Sequence, residues 1–352
     1  MNPWIEHLAS LGARFHPDNA TQAEDFGRVL TCADLAAGFV APVTSLGLIA
    51  VAGTDAARFL HNQLTNDVEH LGQNEARLAG YCTPKGRLQA TCLMWKSADD
   101  IYLALPRAIQ PPLQKRLTMF VLRAKAKLRD ATDEAANGAV LAVGGAKAAD
   151  ALSRHAGSLP DAPWGKRDAA AGTVIRLPDA FGQPRFLWLT APETAIAALP
   201  QLRESLALGG EQAWQLSNIH AGVPQVTPPT QEQFVPQMIN FELIGGVNFK
   251  KGCYPGQEIV ARSQYLGKLK RRMALATLPD AAARPGDEVF AGDDPSQPAG
   301  MIVNAAPNGA GGADVLVEIK LAALEHEVRH GAPGGAQLAF QPLPYPLDAL
   351  DT

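Results

Sequence analysis

Turns interrupt this chain before any apolar run grows long, and that narrows its possible folds more than any other feature. The longest apolar runs, such as residues 46–52, fall far short of the roughly 20 residues needed to cross a bilayer. No repeat, coiled coil or long low-complexity tract appears. Short strand-like pieces alternate instead with short helical ones and with proline- and glycine-rich separators, the pattern of an α+β protein. At 352 residues, with 47% hydrophobic and 19% charged content, the chain has enough apolar material for two or three cores.

Residues 1–45 read as a mixed lead-in with an amphipathic helix near residues 4–11. A strand at 48–51 then enters Gly53, and Thr54-Asp55 cap a helix whose Ala56, Phe59, Leu60 and Leu64 recur at helical spacing. Strand-like segments follow at 78–82, 88–95 and 101–105, separated by Thr83-Pro84-Lys85-Gly86 and Ser97-Ala98-Asp99-Asp100, both hairpin turns in composition. A helix at 111–118 and an alternating strand at 121–129 lead to a boundary near 133–138. Residues 139–207 read as strand, helix, strand, strand, helix, a ferredoxin-like split βαβ pattern once one flanking strand is added. After Gly209-Gly210 comes a helix over 211–219 carrying Trp214; from about residue 270, short strands between proline- and glycine-rich turns predict a small antiparallel β-barrel. The expected domains are residues 1–135 with 208–268, an inserted unit at 136–207, and a barrel at 269–352.

The net charge of −4 excludes a surface that traps nucleic acid generally, so any such binding needs a local patch. One candidate is Lys268-Leu269-Lys270-Arg271-Arg272, which suits polyglutamate, RNA phosphate, an acidic partner or simply solvent. Cys32, Cys82, Cys92 and Cys253 are scattered, with no Cys-x-x-Cys pair. That argues against a structural zinc site or a resident four-cysteine cluster, and no metal ligands are assigned. The N-terminal residues lack a signal-peptide pattern. The expectation is a cytoplasmic monomer with no membrane contact.

The densest chemistry lies in Lys250-Lys251-Gly252-Cys253-Tyr254-Pro255-Gly256-Gln257-Glu258. Gly245-Gly246 upstream reads as a turn, and residues 257–264 read as a short helix, so Cys253 falls just before a helix N-terminus. Neighbouring ammonium groups and the positive helix end both favour a thiolate. The glycines supply positive φ or close backbone approach, with amide groups able to face an anion. The competing reading is a buried cysteine in a glycine turn beside solvated lysines. Thr65-Asn66-Asp67 likewise reads either as a helix-ending turn or as polar ligands for a heterocycle.

Residues 251–258 resemble the signature of the YgfZ family, bacterial folate-binding proteins that support iron-sulfur enzymes and carry a tRNA-modifying label. Further pieces fit in the same order: Phe59-Leu60-His61-Asn62-Gln63-Leu64-Thr65-Asn66-Asp67-Val68, Tyr81-Cys82-Thr83-Pro84-Lys85-Gly86-Arg87, Ala221-Gly222-Val223-Pro224 and Phe234-Val235-Pro236-Gln237. The resemblance spans roughly residues 40–275 and extends to the glycine-cleavage T-proteins, folate-dependent aminomethyltransferases. It implies a T-protein-like folate-binding fold, with a ferredoxin-like unit inserted in the first domain.

It also implies tetrahydrofolate or a derivative as cofactor, with Trp214, Asn66, Asp67, Tyr254, Gln257, Glu258 and Arg262 around it. Cys253 becomes a redox, persulfide or cluster contact supported by Lys251. Iron-sulfur client enzymes become the partners, tRNA methylthiotransferases among them, with a weak RNA contact through Lys268, Lys270, Arg271 and Arg272. Two departures stand out: Leu46 occupies the place of a second folate-contacting tryptophan, and Gly86-Arg87-Leu88-Gln89-Ala90 replaces the T-protein Gly-x-x-Asp-Asp segment. Gln89 and Ala90 cannot act as a carboxylate acid or base, which disfavours aminomethyl transfer. The alternatives are a folate-dependent one-carbon transferase with an altered site and a protein that binds tRNA directly.

Overall fold

The computed structural model describes residues 2–265 and 269–347. Three large sheets surround one apolar centre, and alternation along their strands explains how. In the Leu46–Ala52 strand, Leu46, Leu48 and Ala50 face the centre, while Ile49 and Val51 face a second cluster. Both faces are therefore buried, which is why the sequence shows a continuous apolar run there. In the Ala139–Gly144 strand, Val140 and Ala142 face the same centre, with Leu141 and Val143 on the other side. Met273 and Leu275 of the Arg271–Leu278 strand complete the pattern.

The first sheet is antiparallel in the order Ala76–Cys82, Leu88–Ser97, Asp100–Pro106, Leu46–Ala52, Lys127–Asp130. Helices Ala56–His61 and Gln110–Phe120 cover its outer face, with Phe59, Leu60 and Leu117 in the outer cluster. The expected strand at 121–129 is much shorter, because the helix runs on to Phe120 and the sheet is rejoined only at Lys127. Between them, the Lys125 amide donates to the Asp55 carboxylate at 2.7 Å. The Lys125 carbonyl oxygen would stand 2.1 Å from a Cβ on Gly53, whose φ of +116° also disfavours any side chain. Asp55 therefore holds a neighbouring turn and makes no side-chain cap to its own helix.

The second sheet runs Lys166–Ala169, Gly172–Ala180, Gln183–Thr190, Ala139–Gly144, Phe39–Pro42, Ala207–Leu208, with only the last pair parallel. Helices Ala148–Ala156 and Pro192–Ser205 pack on its outer face together with Trp4 and Leu8 of the Pro3–Ser10 helix. The lead-in is more structured than its composition suggests. It also contains the Arg14–His16/Asn19–Asp25 hairpin, the Cys32–Ala37 helix closed by a Thr31/Asp34 capping box, and the buried Phe39–Pro42 strand.

The third sheet is antiparallel and curled, in the order Val328–His330, Glu288–Ala291, Gly300–Pro307, Ala313–Lys320, Arg271–Leu278, Ala339–Gln341. Its two ends are brought together by residues 336–341. Leu338 donates to the Val328 carbonyl at 2.8 Å, and the next three residues pair with the Arg271–Leu278 strand. No helix among the described residues is long and apolar enough to cross a membrane.

Candidate functional site

Two features lie near the Lys250–Glu258 stretch and the Trp214 helix, and they are separate in space. The thiol loop is stapled to the end of the Ala56–His61 helix. Thr65 donates to the Gly246 carbonyl at 2.6 Å, the Asn66 amide to Gly245 and Leu78 at 2.7 Å each, and the Asn248 amide to the Thr65 carbonyl at 2.9 Å. Lys251 then reaches under the loop. Its Nζ donates to the Leu64 carbonyl at 2.6 Å and to the His61 carbonyl, capping carbonyl groups left open at a helix C-terminus. Nζ also stands 4.9 Å from the centre of the buried Tyr254 ring. Burial pulls the Lys251 ammonium down to about 8, while Asp67, Cys253 and Glu69 act the other way.

Cys253 is exposed at the crest of this loop, and the other three thiols are not. Burial pushes Cys32, Cys82 and Cys92 up to about 12 each. Gly256, at φ +82°, lets the loop lie against the Thr83–Gly86 turn: a Cβ there would stand 2.3 Å from the Thr83 carbonyl oxygen. Gly86, at φ +71°, gives the same clearance to Ile259. Two of the motif pieces thus meet glycine to glycine. The Gln257–Tyr265 helix that follows is held from below by Gln237, whose amide donates to the Val260 carbonyl at 2.7 Å. Glu258 and Arg262 face solvent on it, and Gln257 is half-buried.

His61, which the motifs of the linear sequence do not set apart, is buried against this loop. Its Nδ1 lies 3.1 Å from Asp67, and its Nε2 would be 3.4 Å from a Cβ on Gly252. Burial raises the Asp67 carboxyl, but hydrogen bonds from the His70 amide and imidazole outweigh it and hold the group below the usual range. A histidine oriented by a carboxylate therefore faces the residue before Cys253. Its only linear sign is its place six positions before Asp67.

The second feature is an apolar slot between the first two sheets, lined by Leu46, Leu78, Trp164, Arg185, Leu187, Trp214 and neighbours. Its volume is about 60 Å³, well below the roughly 300–1,000 Å³ of sites that hold drug-sized ligands, so a bicyclic ring enters only if the walls part. Trp164, held at φ +66° on the connection before the Lys166–Ala169 strand, is one such wall.

Arg185 is the unexpected residue of the slot. It is buried with its Nη1 on Ser217 and Asn218 at 2.8 and 3.0 Å and its Nε on the Pro178 carbonyl at 2.9 Å. Its Nη2 has no hydrogen-bond partner, and neither has Nε1 of Trp214, whose ring lies 6.0 Å from the guanidinium. Burial draws Arg185 down to about 9, helped by Arg176 and opposed by Asp179. In the linear sequence Arg185 is marked only by its place directly before the apolar residues 186–189 of the Gln183–Thr190 strand, which does not tell it from an ordinary strand-end arginine.

The residues expected around one cofactor are therefore divided. Trp214 and Leu46 line the slot, and no residue of the thiol loop does. Asn66 sits between, its amide spent on the Leu78 and Gly245 carbonyls, while Asp67 serves His61 and His70. Among the described residues no Asp or Glu lines the slot. Gln89 lies at the surface with its amide 2.7 Å from Glu232, and Ala90 is buried. The basic run is also divided. Arg271 pairs with Glu318 at 2.8 Å, buried Arg272 with Glu242, and Lys270 is exposed. Lys268 lies outside the described residues.

The chain is 30% identical over 245 residues to the tRNA-modifying protein YgfZ of Cronobacter sakazakii, a match covering 69% of this chain and 72% of the relative. It is 32% identical over 237 residues to the protein of that name in Shigella boydii, covering 67% of this chain and 70% of the relative. No family model matches. The fold is similar to that of the glycine cleavage system aminomethyltransferase T from Bartonella henselae, with a TM-score of 0.76 at 16% identity over 97% of this chain and 96% of that one.

Proposed function

Because the chain belongs to the YgfZ family, we propose that it is a folate-binding accessory protein in tRNA modification, one that helps to assemble or repair iron-sulfur clusters in client enzymes. The observation that carries the folate part is the pair of unpartnered donors, Arg185 Nη2 and Trp214 Nε1, buried on the wall of an apolar slot. Each such group costs about 1–3 kcal/mol when left unsatisfied. A flat heteroaromatic ring bearing acceptor atoms, such as the pterin of tetrahydrofolate, recovers that cost and suits the apolar walls. Titration with tetrahydrofolate is expected to quench tryptophan fluorescence, and Arg185→Met and Trp214→Phe to weaken binding at least tenfold. Unchanged affinity in both folded variants would place the ligand elsewhere.

Cys253 is the sulfur that meets the persulfide or cluster, working in the cytoplasm on a loop distinct from the folate slot. Its exposure, against three buried or half-buried thiols, supports this division of labour. In cells lacking the protein, tRNA thiolation by iron-sulfur enzymes should be restored by the wild type and not by Cys253→Ser. Full rescue by the serine variant would remove the thiol from the function. A one-carbon transferase is the weaker reading, because the slot has no carboxylate among the described residues to steer protons at the folate nitrogen. Direct tRNA binding is weaker too, since Arg271 and Arg272 are engaged by Glu318 and Glu242.

A further inference from the structure

At the C-terminal end of the helix that carries Trp214, outside the lining of the slot, three different ligand types converge from three parts of the chain. Cys32 opens the Cys32–Ala37 helix, His220 ends the Glu211–His220 helix, and Asp314 lies in the Ala313–Lys320 strand of the third sheet. The Cys32 sulfur is 3.5 Å from His220 Nε2 and 3.5 Å from Asp314 Oδ2, and the last two atoms are 2.6 Å apart. We propose that Cys32, His220 and Asp314 form a binding site for a zinc-class divalent cation that clasps the N-terminal segment to the third sheet.

The geometry is close to what the ion requires. With metal bonds of about 2.3 Å to sulfur and about 2.0–2.1 Å to nitrogen and oxygen, a tetrahedral site sets sulfur about 3.5 Å from each of the other donors. Those two edges are already present. The nitrogen–oxygen edge must open from 2.6 Å to about 3.3 Å for the same tetrahedron, a change comparable to replacing a hydrogen bond by two coordinate bonds. The carboxylate is also held in the required orientation. Its other oxygen, Oδ1, accepts from Thr277 Oγ1 at 2.7 Å and Asn308 Nδ2 at 3.2 Å, which turns Oδ2 toward the thiol and the imidazole. Asn308 is itself fixed by the amides of Ala310 and Gly312. Phe181 lies against the His220 ring at 4.4 Å and closes one side. Gly309 brings its loop against the backbone of Leu30 and Thr31, so the site bridges segments already in contact.

On binding, the Cys32 thiol loses its proton to solvent, and the thiolate and the Asp314 carboxylate together balance a 2+ ion. The His220 proton that faces Asp314 shifts from Nε2 to Nδ1 by exchange with solvent, so that neutral His220 gives its Nε2 lone pair, and water takes the fourth position. The mixed sulfur, nitrogen and oxygen set favours zinc over magnesium or calcium. Cysteine spacing gave no hint of such a site because the ligands lie 188 and 94 positions apart.

The test uses the full chain, stripped with chelator and titrated with cobalt(II) as a spectroscopic probe. The expected result is one equivalent of tetrahedral cobalt with a thiolate charge-transfer band in the near ultraviolet, displaced by zinc. The band should be lost in Cys32→Ser and kept in Cys253→Ser. No band in the wild type, or a band that survives Cys32→Ser, would leave the cluster a set of hydrogen bonds and overturn the proposal. Should Cys32→Ser fail to fold, His220→Gln and Asp314→Asn are read instead for at least a tenfold loss of zinc affinity in competition with a chromophoric chelator. Zinc should also protect Cys32 from alkylation in the wild type while leaving Cys253 as reactive as before, and equal labelling with and without zinc would count against the site.

Discussion

Cys253 differs from the other three thiols by exposure first and by charge second. Iodoacetamide at neutral pH should therefore modify Cys253 before Cys32, Cys82 or Cys92, which burial pushes up to about 12. Peptide mass spectrometry reads the order directly, and preferential labelling of any other thiol would contradict it. Lys251→Met removes the ammonium beside the loop and leaves two carbonyls without a donor. The expected outcome is several-fold slower labelling of Cys253 and a stability loss of about 1–2 kcal/mol. Lys251 gives up its charge as pH rises through about 8, so the difference in labelling between wild type and variant should shrink above that pH. The thiol motif was legible in the sequence because its special residues are adjacent. His61 and Arg185 were not, because what distinguishes them is contact with Gly252 in one case and with the far end of the Trp214 helix in the other.

At the scale of elements, the Glu211–His220 helix begins with a carboxyl that the fold buries completely. Glu211 accepts from the amides of Thr44 and Ser45 at 3.2 Å each and from the Ser45 hydroxyl, yet burial outweighs these bonds and raises it from 4.5 to about 7. A raised carboxyl favours the folded state while it is protonated. Its contribution is fully present below pH 4.5 and is lost as pH rises through about 7; the full difference is worth of order 3 kcal/mol. Chemical denaturation across this window should show the wild type losing stability relative to Glu211→Gln as pH rises, and parallel curves would refute the assignment. Gly256→Ala tests a different element. With φ at +82° and the Thr83 carbonyl in the way, the variant should lose more than about 2 kcal/mol, while Gly157→Ala, which has open space but also positive φ, should lose less. Helices and strands with regular spacing were readable to within a few residues, as at Gln257–Tyr265 and Gln183–Thr190. The strand expected over 121–129 was not, because the pairing of Lys125 with Asp55 is a contact between distant segments.

For the whole molecule, the α+β architecture was legible because turns punctuate the chain so regularly, and its kinship to the T-protein fold because the motif pieces at residues 59–68, 81–87 and 251–258 resemble those of a known family. The shared centre was not, since nothing local in Leu48, Ile175 or Met273 says that they belong to one cluster. The absence of Asp and Glu from the described lining of the slot leads to a prediction at this scale: the purified protein should not exchange aminomethyl groups between a lipoyl carrier and tetrahydrofolate, and robust turnover in that assay would reverse it. The common centre has a consequence on the ribosome. Leu48 emerges early and Met273 far later, and at roughly 5–20 residues per second the interval is on the order of tens of seconds. Throughout that time the inner face of the first sheet has only part of its cover, so the nascent chain presents a sticky surface that a holdase chaperone is suited to guard until the third sheet arrives.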